Sequence, residues 1–292
     1  MLIDERITID AGAVCRSLDL DEQVKIDHML ISHSHMDHVK DLALMADQII
    51  GRRPDPVHLH CGPETAETLQ TSYFNNYLWP DFTKIPTPDN PVMQVHVREA
   101  LEVFRIPSLA QQIAASARSS TGPSPAERLQ QAAEQGVTGA ERSPKKKKDK
   151  KAPSSSSSEP LADGEYEVQY VPVTHPVESM AMIIRGKSGS FLYSSDTGPT
   201  TKLWQVANDT PDLRGMFVEL SFPNHMQALA DVAGHYTPQT LHAEMNKIKG
   251  RDDIPLFVYH LKPSFYEQTK QELTALHLKN MHLVELTDEF TF

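Results

Sequence analysis

Cysteine is nearly absent. Cys15 and Cys61 are the only two in 292 residues, which excludes a disulfide framework and leaves any metal site to histidine and carboxylate. Long apolar runs are missing too. No stretch approaches the roughly 18 consecutive apolar residues of a membrane-spanning helix, and the opening Met1-Leu2-Ile3-Asp4-Glu5-Arg6 has neither region of a secretory signal. These absences predict a soluble cytoplasmic protein with reduced thiols and no membrane partner. Positive charge is in the minority, with 28 Lys and Arg against 39 Asp and Glu and a net charge of −11. A nucleic-acid groove spread over the surface needs clustered cations, so the balance speaks against a nucleic-acid partner. No internal repeat occurs. What is present, 39% hydrophobic and 23% charged residues, suits a soluble domain with a sizeable core.

Along the chain, Ile7-Thr8-Ile9 followed by Asp10-Ala11-Gly12 reads as a short strand ending in a turn, and Met29-Leu30-Ile31-Ser32 as a buried strand. Val39, Leu42, Met45, Ala46 and Ile49 fall near helical spacing, predicting a helix from Asp37 to Ile50. Val57 to His60 is a third strand, and Pro63 opens a helix to Leu69 with Glu64 and Glu67 suited to its N-terminal end. Composition then changes. No aromatic residue lies between Phe104 and Tyr166, an interval that holds Lys145 to Lys148, Lys150, Lys151 and five serines from Ser154 to Ser158. Such a stretch buries too little apolar surface to offset its ordering entropy, so residues 108–163 are expected to be a disordered insertion with a short helix within Pro125 to Gly136. Strands resume at Val168 to Val173, Ala181 to Ile184, Phe191 to Tyr193, Met216 to Leu220 and Leu256 to Tyr259, with a helix from Pro238 to Lys249. The fold class expected is α+β. Residues 1–107 and 164–292 would be two halves of one domain.

The chemistry concentrates in His33-Ser34-His35-Met36-Asp37-His38, between a buried strand and a helix. Neutral imidazoles and a carboxylate are ligands that zinc and other borderline metals accept, and a strand-to-helix turn aims several at once. The ordinary alternative is a histidine-rich loop satisfied by water.

This spacing resembles the His-x-His-x-Asp-His signature of the metallo-β-lactamase superfamily. Thr174-His175, Ser194-Ser195-Asp196-Thr197-Gly198-Pro199, Glu219-Leu220-Ser221-Phe222-Pro223, Gly234-His235-Tyr236-Thr237-Pro238 and His260-Leu261-Lys262-Pro263 are similar to segments of its class II cyclic-nucleotide phosphodiesterases. The resemblance implies a metallo-β-lactamase-like αββα sandwich around two divalent metal ions, zinc foremost with manganese or iron as alternatives. It implies that His33, His35 and His175 hold one metal, that Asp37, His38 and His260 hold the other, and that Asp196 bridges them. A metal-bridging hydroxide would then hydrolyse a 3′,5′-cyclic nucleotide, cAMP or cGMP, to the 5′-monophosphate, with Asp37 and His235 as catalytic residues and His235 as proton donor. The small-molecule cyclic nucleotide is the expected partner. A homodimer stands as an open alternative to a monomer.

Substrate contacts are expected from Lys262, Phe74 and Trp79, although a solvated lysine and core aromatics are the ordinary readings of those residues, as for Phe82. His58 and His60 share one side of a strand and are read as structural. His28, His96, His277 and His282 are expected to stand outside any cluster, and Glu219 to be a ligand's partner or a plain strand-end carboxylate. The sequence departs from the superfamily pattern at Asp41, Pro176 and Ser195, where glycine is common, and Asp41 is expected to crowd its helix start. Only six residues precede Ile7, so either the first hairpin is reduced or the natural start lies upstream. The competing function is a tRNA 3′-processing, RNase Z-like endonuclease with the lysine run as an RNA-binding arm. A third is a nucleotide-binding protein without turnover.

Overall fold

The computed structural model describes residues 1–119, 127, 130, 160–250 and 253–292. Of the insertion expected at 108–163, residues 120–159 other than 127 and 130 lie outside the described residues, as does most of the short helix placed within Pro125 to Gly136, whereas Leu109–Ser119, expected to be disordered, is helical. The chain divides into two compact units, Met1–Arg98 with Leu109–Ser158, and Glu99–Ser108 with Glu159–Phe292.

The first unit is built on a sheet of order β1-β2-β3-β4-β7 among the described residues, with β1 Leu2–Ile3, β2 Ile7–Ile9, β3 His28–Leu30, β4 Val57–Cys61 and β7 Met93–Val97. A small hairpin of β5 Pro86–Thr87 and β6 Asn90–Pro91 stands apart from it. β2, β3, β4 and β7 run parallel, in register Ile7↔His28, His28↔His58 and His58↔Gln94. Parallel neighbours need crossovers, and all three of them carry helix. α1 Val14–Ser17 and α2 Leu20–Lys25 join β2 to β3, and α3 Met36–Val39 and α4 Asp41–Ile49 join β3 to β4. α2 opens on a capping box in which Asp19 accepts from the Glu22 backbone and Glu22 from that of Asp19. Alternation along the strands sends Met29, Leu59, Cys61 and Met93 into a core with Leu42, Met45, Ala46 and Ile49. Phe74 and Phe82 are buried in the same core and Trp79 packs on it. The opposite face of β3, β4 and β7 carries His28, His58, His60 and His96.

The single helix expected from Asp37 to Ile50 is two helices. The Asp41 amide donates to the Ala11 carbonyl at 3.0 Å rather than continuing the helical ladder. The carbonyl it would have used, that of Asp37, is pressed against Gly12, where an added Cβ would lie 1.6 Å away. Asp41 crowds nothing, because its carboxylate accepts from the Cys15 amide at 3.0 Å and so serves the start of α1. α5 Pro63–Thr68 forms as expected and runs on as a π-helical turn, Leu69–Tyr73. α6 Leu109–Ser119 completes the unit's described part.

The second unit holds a sheet of order β14-β13-β12-β11-β10-β9-β8 among the described residues. Its strands are β8 Val103–Ile106, β9 Tyr166–Pro172, β10 Met180–Gly186, β11 Gly189–Tyr193, β12 Leu213–Glu219, β13 Leu256–Tyr259 and β14 Met281–Leu283. β8 to β11 are antiparallel; β11 to β14 are parallel. The parallel steps cross over through α7 Lys202–Asp209, then α8 Gln227–Ala233 and α9 Pro238–Met245, then α10 Tyr266–Thr274. Val171, Leu192, Met216, Val218 and Val258 pack with Leu203, Trp204 and Leu241 in this unit's core. The Trp204 indole donates to the buried Glu244 carboxylate at 2.6 Å. Among the described residues, no helix is long and apolar enough to cross a membrane.

Candidate functional site

In the first unit the signature occupies the turn between β3 and α3. Asp10, at the end of β2, has φ +59 and is 8% exposed. Its carboxylate accepts from the Ser32 amide (2.8 Å), the Ser32 hydroxyl (2.9 Å) and His38 Nδ1 (2.8 Å). Burial works against the charge, yet His38 and Ser32 together hold the Asp10 carboxyl below its usual range. The bonds also fix tautomers. Because the single Ser32 hydroxyl hydrogen goes to Asp10, the contact between Ser32 Oγ and His33 Nδ1 at 3.0 Å has the imidazole as donor. His33 and His38 each keep their proton on Nδ1, which leaves Nε2 of both as a lone pair for a metal. Their rings lie 4.0 Å apart between centroids, and His33 and His35 lie 4.8 Å apart. His38 Nε2 is 3.9 Å from the exposed Asp37 carboxylate. The close approach at Gly12, with the Ala11 amide donating to the His38 carbonyl at 2.7 Å, clamps this turn against the end of β2.

In the second unit five strand-end or loop residues converge. His175 follows β9, and its Nδ1 donates to the Gly234 carbonyl at 3.0 Å, so Nε2 is its ligand atom. Asp196 follows β11 and is 1% exposed. The preceding Ser195 has φ +55, a conformation that favours glycine. It is held by a hydrogen bond to Ser179, whose own hydroxyl donates to the Asp196 carbonyl. His260 follows β13 with φ +75; its Nδ1 stands 3.2 Å from Asp196 and 3.1 Å from the Ser221 hydroxyl. Asp10, Ser195 and His260 are thus side chains in left-handed backbone beside would-be ligands, a kind of strain that gathers where function demands a fixed direction.

His235 lies after α8, whose end is closed by Gly234 at φ +67. A Cβ on Gly234 would meet Pro176 Cδ at 2.8 Å and His175 Nδ1 at 3.0 Å, so glycine is what lets the loop seat both histidines. His235 is 7% exposed. Its Nδ1 makes no hydrogen bond and faces the fully buried Glu219 carboxylate at 3.4 Å. Glu219 also accepts from the Tyr236 amide (2.8 Å) and the Ser221 hydroxyl (3.1 Å), and lies 3.7 Å from His260 Nδ1. Ligand-type atoms of His175, Asp196 and His235 all fall within 4.8 Å of one another, as do those of Glu219, His235 and His260. Imidazole and carboxylate at that spacing, largely buried, form a donor set that fits a divalent metal. Lys262 Nζ is 3.4 Å from His260 Nε2.

Sequence reasoning missed Asp10, Ser32, Ser179 and Ser221, and left Glu219 undecided. Each is a lone polar residue whose role comes from strand register. Phe74 is 1% exposed in the core and presents no ring face to a ligand. His28 and His96, expected to stand alone, join His58 and His60 in a cluster with ring centroids 4.9–5.3 Å apart.

Residues 16–105 match the family model of the class-II cAMP phosphodiesterases. A probable 3′,5′-cyclic-nucleotide phosphodiesterase of Yersinia pestis is 24% identical over 276 residues, 88% of this chain and 62% of that protein; the chain therefore spans less than two thirds of the relative's length. Unliganded yeast PDE1 superposes with a TM-score of 0.61 at 16% identity, covering 90% of this chain and 67% of that one. YhfI of Bacillus subtilis, described as a metallo-β-lactamase fold protein, gives 0.58 at 12% identity with 95% and 83% covered. The chain is accordingly a metallo-β-lactamase-fold protein that resembles the class II cyclic-nucleotide phosphodiesterases.

Proposed function

We propose that the chain is a metal-dependent phosphodiesterase that hydrolyses a 3′,5′-cyclic nucleotide to the 5′-monophosphate. The observation that carries this reading is His235 set against a buried carboxylate, Glu219, within reach of the metal-type ligands His175 and Asp196. Hydrolysis of a phosphodiester needs a proton for the departing sugar oxygen, and an imidazole braced by a carboxylate is suited to supply it. The ligands this reading takes are His33, His35, Asp37 and His38 of the signature, and His175, Asp196 and His260 of the later segments. Imidazole and carboxylate without thiolate favour zinc, with manganese or iron as substitutes. Divalent ions held there supply Lewis acidity toward the phosphoryl group and an acidified water.

The chain's own residues do the rest. Asp10, Ser32 and the Gly234 carbonyl hold protons on the Nδ1 atoms of His38, His33 and His175, so the opposite nitrogens point lone pairs outward. Glu219 faces the Nδ1 side of His235 at 3.4 Å, a charge that favours a proton on that ring and leaves Nε2 to give one to the leaving group. Lys262 places an ammonium near the phosphate. The net charge of −11 does not oppose an anionic substrate, because bound cations set the local field. A cytoplasmic location belongs to the same reading.

Purified protein loaded with zinc or manganese, incubated with cyclic AMP, cyclic GMP and a precursor tRNA, tests it. The expected product is 5′-AMP or 5′-GMP, with His235→Ala losing turnover by about 10²–10⁴-fold while retaining its metal. Cleavage of the tRNA alone would transfer the chain to the endonuclease reading. No hydrolysis of any of the three would defeat the proposal.

A further inference from the structure

Four imidazoles that the reaction does not use share one face of the first unit's sheet. His28 on β3, His58 and His60 on β4 and His96 on β7 form a closed quadrilateral, with centroids 4.9 Å apart for His28–His58, 5.0 Å for His58–His96, 4.9 Å for His60–His96 and 5.3 Å for His28–His60. The register of β3, β4 and β7 puts them there, two on the middle strand and one on each neighbour. Across the diagonals of the strands, His28 Nδ1 meets His60 Nε2 at 3.0 Å and His58 Nδ1 meets His96 Nε2 at 2.9 Å. His28 and His60 are 5% and 3% exposed; His58 and His96 are half-buried.

The proton positions follow from the ends of the chain of bonds. Arg98 can only donate, and it donates to His60 Nδ1 through Nε (3.2 Å) and Nη2 (3.1 Å). A neutral His60 then carries its hydrogen on Nε2 and donates to His28 Nδ1. His28 in turn carries its hydrogen on Nε2, which meets the side-chain amide of Gln112 at 2.7 Å; the amide oxygen is the end that can accept it. A one-way line of hydrogen bonds therefore runs from Arg98 through two rings to α6. Adding a proton to either ring sets two donors face to face, and the His58–His96 bond likewise needs one ring unprotonated.

We propose that this imidazole quadrilateral is an acid-sensitive latch that ties α6 to the first unit's sheet and lets it go when the rings are protonated. The charges around it point the same way. Arg6 and Arg53 act on His28, Arg53 on His58, and Arg98 on His60 and His96; Asp27 and Asp55 oppose them at His58 only. Asp27 is itself engaged by Arg6 and Arg53 at 3.2 and 2.9 Å. On α6 the described side chains, Leu109 to Ala115, carry no charge. Burial first, then neighbouring rings and arginines, pushes His28 down to about 2 and His96 down to about 4, and lowers His58 and His60 as well. A metal ion is the competing occupant of four histidines. The Arg98 contact puts the hydrogen on the His60 nitrogen that an ion would need, and the groups of described residues close enough to share an ion do not include these rings.

Hydrogen–deuterium exchange on the full-length chain, read by mass spectrometry and corrected for the intrinsic pH dependence of exchange, tests the latch. Peptides spanning residues 109–119 should lose protection between pH 7 and pH 5, by roughly 25-fold for each ring that regains an ordinary pKa of about 6.5 on release. Gln112→Leu should release α6 already at pH 7 and abolish the pH dependence in those peptides. The double variant His58→Gln with His96→Gln should move the release to lower pH. Protection in 109–119 that is flat from pH 7 to pH 5, or unchanged by Gln112→Leu, would overturn the proposal. Loss of protection at pH 7 on adding a chelator would overturn it in favour of a bound metal.

Discussion

At the scale of the residue, the site depends on hydrogen positions set by groups that touch no substrate. Asp10 is the clearest. Its carboxylate holds the His38 Nδ1 proton at 2.8 Å and, through the Ser32 hydroxyl, makes His33 a donor at Nδ1 as well. Asp10→Asn keeps the shape and removes the charge, so metal affinity should fall by about 10–100-fold. Competition with a chromophoric chelator measures this, and an unaltered affinity would remove Asp10 from the site. Glu219→Gln should act differently, lowering turnover and changing the pH profile while leaving metal content near normal, because its nearest ring is His235. A pH profile identical to that of the unaltered chain would show that Glu219 does not orient the proton donor. The ligand-rich signature was readable in the sequence because its residues lie in one turn. Asp10 and Glu219 were not, since a single carboxylate gains meaning only when strand order carries it to a distant histidine.

At the scale of the element, strand ends and helix caps aim the ligands, and glycine marks where backbones must touch. Gly234 closes α8 with φ +67 and leaves no room for a Cβ between Pro176 and His175, whereas Gly250, at φ +64, has nothing within 4 Å. Gly234→Ala should therefore destabilise the chain by more than Gly250→Ala, which carries only the strain of left-handed backbone, about 1–3 kcal/mol. Urea midpoints of the two variants decide it, and equal losses would mean that the close approach to His175 is absent. The buried strands were legible as apolar runs, and the helices after Pro63 and Pro238 from their opening residues. Met93–Val97 was not identified, although it alternates apolar and polar side chains as a sheet-edge strand does. The break at Lys40 was hidden because apolar spacing continues through it, while its cause, the Asp37 carbonyl against Gly12, lies in tertiary contact.

At the scale of the whole molecule, the four clustered histidines, of which sequence reasoning paired only His58 with His60, set how stability depends on pH. His28, His58, His60 and His96 all have folded-state pKa values below the ordinary imidazole range, chiefly through burial. The unfolded chain then takes up protons first as the solution is acidified. Their contribution to stability is complete above about pH 6.5 and is lost as pH falls below it, at up to about 1.4 kcal/mol per pH unit for a well-buried ring and less for the half-buried His58 and His96, where solvent screens the charge. Asp10, with its carboxyl held below the usual range, adds a loss with the same sign in a lower window, below about pH 4. The two tryptophans allow the effect to be located, since Trp79 packs on the first unit's core and Trp204 lies in the second's. Replacing each in turn by phenylalanine leaves a fluorescent reporter in one unit. The urea midpoint seen by Trp79 should fall steadily from pH 7 to pH 5. A Trp79 midpoint that holds level until carboxylates titrate near pH 4 would show that the quadrilateral accepts protons as readily folded as unfolded, and the neutral hydrogen-bond line from Arg98 to Gln112 would have to be given up.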